Sequence, residues 1–263
     1  MSWTYGDVDR SADPAGAAGW MDTMATWPFV QAYKQRTLEL LEVAPGARPA
    51  QAATNRARLL DVGCGTGDDT RALPGRGVGL DASAVMIGEA ARRGGAFVRG
   101  DAHALPFADG TFAGCRADRT FQHLADPERA LAELVRVTRP GGRVVVVDPD
   151  QETIVVDGVD RALARRVKQF RCDAGLRHGD IAHRLPRLFR AAGLIDVAVE
   201  GSTLVLDDPD DAFGFATWAR AMHDRGLLDA PDVERFEADV RASGNAGDFL
   251  YAVTFFITSG RRP

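Results

Sequence analysis

The stretch Asp61-Val62-Gly63-Cys64-Gly65-Thr66-Gly67-Asp68-Asp69 follows the apolar pair Leu59-Leu60 and leads into a helix candidate at 69–73. Its three glycines let the backbone take φ values closed to other residues and pass close to a bound molecule. A glycine-rich turn from strand to helix is a nucleotide cradle, and dinucleotide enzymes use a related G-x-G-x-x-G spacing that delivers a pyrophosphate to the helix N-terminus. Here the spacing is G-x-G-x-G, and Asp68 and Asp69 put negative charge at the helix start. Two carboxylates there repel a pyrophosphate and suit a cationic cofactor.

Outward from this turn, short β-rich runs alternate with helical stretches. Strands are expected at 58–62, 77–81, 96–99, 111–116, 143–148, 195–200 and 251–258, and helices near 69–73, 83–93, 126–138, 160–172 and 186–192, the last stopped by Gly193. Such alternation implies parallel strands joined by crossover helices. The expected fold class is therefore α/β, a doubly wound, mostly parallel, Rossmann-like sheet of about seven strands. A single domain over 1–263 is expected, with a helical N-terminal cover at 1–57 that includes a helix near 27–42. A cofactor-binding core follows at 58–206, then an insertion at 207–249 that forms a substrate-side lid, and the final strand at 250–263. The insertion carries Phe213, Phe215, Trp218 and Met222 at partly helical spacing. A stripe of this kind packs on a core, lines a substrate, or does both.

Composition narrows the function. Apolar residues are 45% and charged residues 26%, which suits a chain that buries a core and excludes disorder. Thirty-two basic residues against 37 acidic give a net charge of −5, so no global positive field gathers phosphate backbones or anionic lipid. Neither nucleic acid nor membrane is an expected partner, and apolar runs such as 144–147 fall far short of the roughly 20 residues that cross a bilayer. Residues 1–7 show no secretory signal, and Cys64, Cys115 and Cys172 offer neither a disulfide framework nor metal-ligand spacing. The expectation is a cytoplasmic monomer or homodimer without a metal.

Twenty residues after Asp61, within Gly79-Leu80-Asp81-Ala82-Ser83, the second strand ends in a carboxylate. At that place in a mononucleotide-binding half it can accept both ribose hydroxyls. The third strand leads into Gly100-Asp101-Ala102-His103-Ala104-Leu105-Pro106-Phe107, where Asp101 can accept a hydrogen bond from an exocyclic adenine amine. Alone, Asp81 merely bounds a helix that Ser83 caps and Asp101 merely makes a turn. Arranged in order at strand ends, they point to an adenosine-bearing ligand.

With Met86, Arg116-Ala117-Asp118-Arg119-Thr120-Phe121-Gln122-His123-Leu124-Ala125-Asp126-Pro127 and Arg139-Pro140-Gly141-Gly142-Arg143 running into Val144-Val145-Val146-Val147-Asp148-Pro149-Asp150, these motifs form an ordered set. Over roughly 57–150 the chain resembles the class I S-adenosylmethionine-dependent methyltransferases. Within them it looks like the small-molecule group of ubiquinone/menaquinone C-methyltransferases and antibiotic-pathway O-methyltransferases. The resemblance implies that Asp61, Gly63, Gly65 and Gly67 line the methionine end of S-adenosyl-L-methionine and that Asp81 holds the ribose. It puts Ala82 and Met86 around the adenine and Asp101 on the adenine amine, with Ala102 and His103 alongside. The stretch 116–123, Arg119 included, lies beside the sulfonium. Asp118-Arg119-Thr120 stands where enzymes that methylate adenine amines or side-chain amides carry Asn/Asp-Pro-Pro-Tyr, so those acceptors are not expected.

For a hydroxyl acceptor His123 is the first candidate base, because imidazole titrates near neutrality and its position resembles one used in related O-methyltransferases. Its other reading is a structural histidine that ties the Asp126-Pro127 turn to the core. Asp148, at a strand end, is the second catalytic candidate, placed to orient or assist a base, and Asp150 a weaker one. Cys64 reads as packing. Tyr5, Trp27, Gln31, Lys34 and Arg36 are candidates to cover the cofactor, Lys34 or Arg36 near its carboxylate. Arg161, Arg165, Arg166, Lys168 and Arg171 read as a solvated helix face. His178 and His183, with Asp173 and Asp180, lack a helical two-histidine metal motif. The function expected is methyl transfer, at oxygen ahead of carbon or nitrogen, to a small biosynthetic intermediate, leaving S-adenosyl-L-homocysteine. The alternatives are a cofactor-bound protein with a cyclase or binding role and, against the glycine spacing, an NAD(P)-dependent oxidoreductase.

Overall fold

Seven strands form one sheet in the computed structural model, which describes residue 9 and residues 13–42, 58–74 and 76–263. In chain order they are β1 (Arg58–Val62), β2 (Arg76–Asp81), β3 (Ala96–Arg99), β4 (Phe112–Asp118), β5 (Thr138–Asp157), β6 (Ile195–Leu206) and β7 (Leu250–Arg261). Their spatial order is β3-β2-β1-β4-β5-β7-β6. β1 to β5 pair in parallel, and β7 runs antiparallel to both of its neighbours. Val144, Val145, Val146 and Val147 are all fully buried, as a parallel strand covered on both faces requires. The strand order reverses between β1 and β4, which opens a crevice at the C-terminal ends of the strands, where ligands of such sheets bind.

The core helices start where the sequence supplies caps. Ser83 accepts the Met86 N–H and opens helix Ala84–Arg92, and Asp126 accepts the Arg129 N–H with Pro127 in the first helical turn. Helix Ile181–Ala191 begins well before the expected start at 186, with Pro186 inside it. Ile181, Ala182, Leu185, Leu188 and Phe189 are buried along one face, and this burial outweighs the backbone bond that proline forfeits. β5 continues past the expected end at 148 because β7 supplies antiparallel partners as far as Asp157, across a register shift after Asp150.

Helix Pro14–Ala25 was not foreseen; Asp13 caps it and Pro14 lies in its first turn. Helix Pro28–Glu42 follows and stacks Tyr33 on Phe255 at 5.2 Å. The 207–249 segment holds helices Phe215–His223 and Ala230–Ala246, and Phe215, Trp218 and Met222 are buried in one cluster with Phe236 and Tyr251. Trp27 meets Phe213 edge to face at 6.1 Å, so the N-terminal helices and the insertion touch above the sheet. Among the described residues no helix is long and apolar enough to cross a membrane.

Candidate active site

A cavity of about 710 Å³ occupies the crevice at the strand ends, a size suited to small-molecule ligands. Gly63, Gly65, Asp81, Ala82, Met86, Asp101, Ala102, His103, Arg119 and His123 all line it. Asp61, Gly67 and Asp148 do not.

The glycine turn is tied down at each step. The Gly63 and Cys64 N–H groups donate to the Leu80 carbonyl at 2.7 and 3.1 Å, and the Gly65 N–H donates to Asp81 Oδ2 at 2.9 Å. Gly63 and Gly65 sit at φ of +74° and +52°, the left-handed region that penalises any side chain. A Cβ on Gly65 would lie 2.3 Å from the Met21 methyl, so the unforeseen N-terminal helix presses directly on the turn. Trp20, Met21 and Met24 of that helix line the cavity. Gly67 serves instead as the left-handed cap of helix Asp68–Ala72. Cys64 is buried and burial pushes its thiol up, in keeping with packing rather than reactivity.

Asp81 also accepts the Ser83 N–H at 2.9 Å, yet among the described residues no cation pairs with it, and burial raises its carboxyl above the ordinary range. Its unused lone pairs suit a hydroxyl-bearing ligand. Asp101 accepts the His103 N–H at 2.9 Å and lies 2.6 Å from His103 Nδ1, while His103 Nε2 accepts the Asp126 N–H at 3.1 Å. That last bond makes Nδ1 the protonated nitrogen. The tie to the Asp126 turn that His123 was offered is thus made by His103.

Asp61 lies beneath the turn. The β1/β4 register sets it beside Arg116, whose fully buried guanidinium reaches Asp69 at 2.9 Å, Asp118 at 3.2 Å, Asp61 at 3.4 Å and Thr37 Oγ1 at 2.8 Å. Lys34 adds a second cation 2.9 Å from Asp69. Burial drives the Asp61 carboxyl to about 6, whereas Asp69, against the same burial, is held below its ordinary value by Arg116 and Lys34. Lys34 is therefore engaged below the turn, and Arg36 binds Glu200 and Glu39 and is absent from the cavity wall. Trp27 and Gln31 are likewise absent from the cavity wall, and Tyr5 lies outside the described residues.

Asp148 is fully buried and accepts the Phe121 and Gln122 N–H groups at 3.2 and 3.4 Å. Burial raises its carboxyl well above the carboxylate range. Through these two bonds it braces the Phe121–His123 turn, and it is absent from the cavity wall. Asp150 is likewise buried, accepting the His183 and Glu152 N–H groups. His123 does face the cavity, where burial and the Arg171 and Arg119 guanidiniums push its imidazole down to about 3. It is neutral at physiological pH. Arg119 adopts φ +51°, its N–H donating to the Val147 carbonyl at 2.7 Å, a strained backbone of the kind that persists at functional sites.

The wall beyond His123 was not legible residue by residue. Gln122, Arg171, Trp218 and Tyr251 all line the cavity. Arg171, expected on a solvated face, turns inward where helix Arg161–Phe170 loosens into a π-helical turn at Arg171–Gly175. The spacing did carry a signal: Leu163, Val167 and Arg171 are four residues apart, on the stripe that is buried. The insertion both packs on the core and walls the cavity, since Trp218 does each.

The residues present fit S-adenosyl-L-methionine. Two carboxylates, Asp81 and Asp101, share a wall with Leu80, Ala82, Met86 and Ala102, so hydroxyl and amine acceptors flank an apolar surface suited to a base. The chain matches the family model described as a methyltransferase domain over residues 60–146. It is 34% identical to an uncharacterised 37.1 kDa protein in transposon TN4556 of Streptomyces fradiae, over 98% of this chain and 74% of that one. A demethylmenaquinone methyltransferase of Beutenbergia cavernae is 35% identical over 52% of this chain and 59% of its own length. The chain thus spans little more than half of that relative. Among solved structures, the [4+2]-cyclase SpnF superposes with a TM-score of 0.50 at 26% identity, covering 91% of this chain and 84% of that one. With its β3-β2-β1-β4-β5-β7-β6 sheet, the chain belongs to the class I S-adenosylmethionine-dependent methyltransferases, and its cofactor is S-adenosyl-L-methionine.

Proposed function

We propose that this methyltransferase acts on a small, partly aromatic acceptor and that it methylates oxygen ahead of carbon or nitrogen. The observation that carries this reading is the neutral His123 imidazole, which faces the same cavity as the aromatic wall of Trp218 and Tyr251. In this reading Asp81 accepts the ribose hydroxyls and Asp101 the adenine amine, Ala82 and Met86 flank the adenine with Ala102 and His103 beside it, and the Gly63–Gly65 backbone faces the amino-acid end. When bound, the cofactor supplies an electrophilic methyl on a sulfonium. The chain's own task is alignment, and well-oriented partners gain on the order of 7–11 kcal/mol from proximity alone.

His123 accepts the hydrogen bond of the acceptor hydroxyl and orients its lone pair. With its imidazole down near 3 it takes that proton only as the oxygen gives up charge to the new bond. Asp148 holds the His123 turn in place. The name of the demethylmenaquinone relative supports a quinone-type ring as the acceptor. The protein works as a monomer or homodimer, on this reading without nucleic acid or membrane as partner.

The test is incubation with methyl-labelled cofactor and a panel of phenols and naphthohydroquinones, followed by boron tribromide cleavage of the products. Label released from the ring establishes O-methylation, and label that resists cleavage overturns it in favour of carbon. A second reading, cyclisation without methyl transfer, draws on the likeness to SpnF. Acceptor consumed with no S-adenosylhomocysteine formed would favour it.

A further inference from the structure

Arg171 brings a guanidinium into the cavity wall without a counter-ion. Its Nε is buried and has no hydrogen-bond partner, and among the described residues the group makes neither a hydrogen bond nor an ion pair. Its one contact of note is the Trp218 ring, 4.8 Å from the guanidinium carbon. A guanidinium carries five donors, and charged groups removed from water are ordinarily paired. By contrast Arg116, whose side chain is fully buried, faces three carboxylates. Gln122 repeats the pattern, since its Oε1 is buried in the same wall and also lacks a partner. Trp218, Tyr251 and Phe213 supply flat apolar faces to the same cavity.

We infer that the acceptor is a planar aromatic molecule that binds as an oxyanion, a carboxylate or an acidic phenolate, paired with Arg171 and stacked among Trp218, Tyr251 and Phe213, with a hydroxyl or N–H of its own donated to Gln122. This rests on the reading of the cavity as a methyltransferase site. The anion supplies what the guanidinium lacks, and the planar fork of arginine matches a carboxylate with two parallel bonds. Arg177 at the same wall adds positive charge, and Asp210, also on the wall, is not bonded to Arg171. The lowering of the Arg171 pKa by burial, opposed only by Tyr251, agrees with a guanidinium that no carboxylate of the described residues pairs with.

The experiment uses the full chain loaded with S-adenosylhomocysteine and three probes on one ring: 2-naphthoate, 2-naphthamide and the acidic phenol 1-nitroso-2-naphthol. Binding is followed by titration calorimetry. The carboxylate is expected to bind about 10- to 100-fold tighter than the amide, the worth of a charge-assisted hydrogen bond. Arg171→Met, which keeps the packing on Trp218, should erase that preference, and Arg171→Lys should restore part of it. Preference for the phenol over the carboxylate assigns the oxyanion to a phenolate. Equal affinity for carboxylate and amide, absence of binding by both anions, or a preference that survives Arg171→Met overturns the inference. A matching loss of S-adenosylhomocysteine affinity in Arg171→Met also overturns it, because the guanidinium would then serve the cofactor. S-adenosylhomocysteine binding by the parent protein is read separately, so failure of the cofactor reading is distinguishable from failure of the acceptor one.

Discussion

The Gly65 N–H donates to Asp81 Oδ2 across 2.9 Å, which joins the glycine turn after β1 to the carboxylate that ends β2. The turn and the acid are therefore one rigid piece, and a change at Asp81 acts on both ends of the cofactor site.

Asp81→Ala should weaken S-adenosylhomocysteine binding by about 2–4 kcal/mol, or roughly 30- to 1000-fold, as two hydroxyl bonds to a carboxylate are lost. Titration calorimetry reads the loss, and circular dichroism checks that the fold persists. An affinity within a factor of two of the parent would remove Asp81 from the ribose.

Gly65→Ala forces a side chain into φ +52° against the Met21 methyl. The backbone strain alone should cost about 1–2 kcal/mol. Urea unfolding measures it, and an alanine variant as stable as the parent would mean that the turn relaxes into another conformation.

Arg116 is the counter-charge for Asp61, Asp69 and Asp118. Arg116→Met should destabilise by about 3–5 kcal/mol, because it leaves carboxylates buried and unpaired. Adding Asp61→Asn to that variant should recover part of the loss, and a double variant no more stable than the single one would refute the charge account.

His123 is held near 3 in the fold and returns to an ordinary imidazole when the chain unfolds. Below about 6.5 the unfolded chain gains a proton that the folded one refuses, so stability is full above that pH and falls as pH drops towards 3. His123→Asn removes this term. Relative to it, the parent should lose at most about 1.4 kcal/mol per pH unit between pH 6 and 4. Denaturation series of both proteins over that range check the slope, and parallel curves would mean that the imidazole is not buried neutral.

The same substitution should lower kcat by about 10²-fold, the lower end of the usual effect of a proton acceptor, while cofactor affinity stays unchanged. The kcat profile of the parent should show no limb near pH 6.5 from His123. A limb there that vanishes in His123→Asn would show that the imidazole titrates normally and acts as a conventional base.

Local sequence determined the parts of this protein that rest on backbone and order. Gly63, Gly65 and Gly67 needed left-handed φ, the acids Asp81 and Asp101 followed strands, and Ser83 and Asp126 capped helices, so the sheet and much of the cofactor wall could be read from spacing alone. Tertiary structure decided what those residues face. The β1/β4 register paired Asp61 with Arg116 and so drew the acid beneath the turn instead of onto the cavity. Asp148 and Asp150 stand within β5, which runs on to Asp157, and backbone N–H groups claim both. His103 took the tie to the Asp126 turn and left His123 to the cavity. Arg171 shows the limit most plainly. Its helical spacing put it on the buried stripe, but charge argued for solvent, and only the assembled walls of Trp218 and Tyr251 show a cation held inward with no carboxylate among the described residues to pair it. Propensity and periodicity act along the chain, whereas burial and charge pairing depend on residues that folding alone brings together.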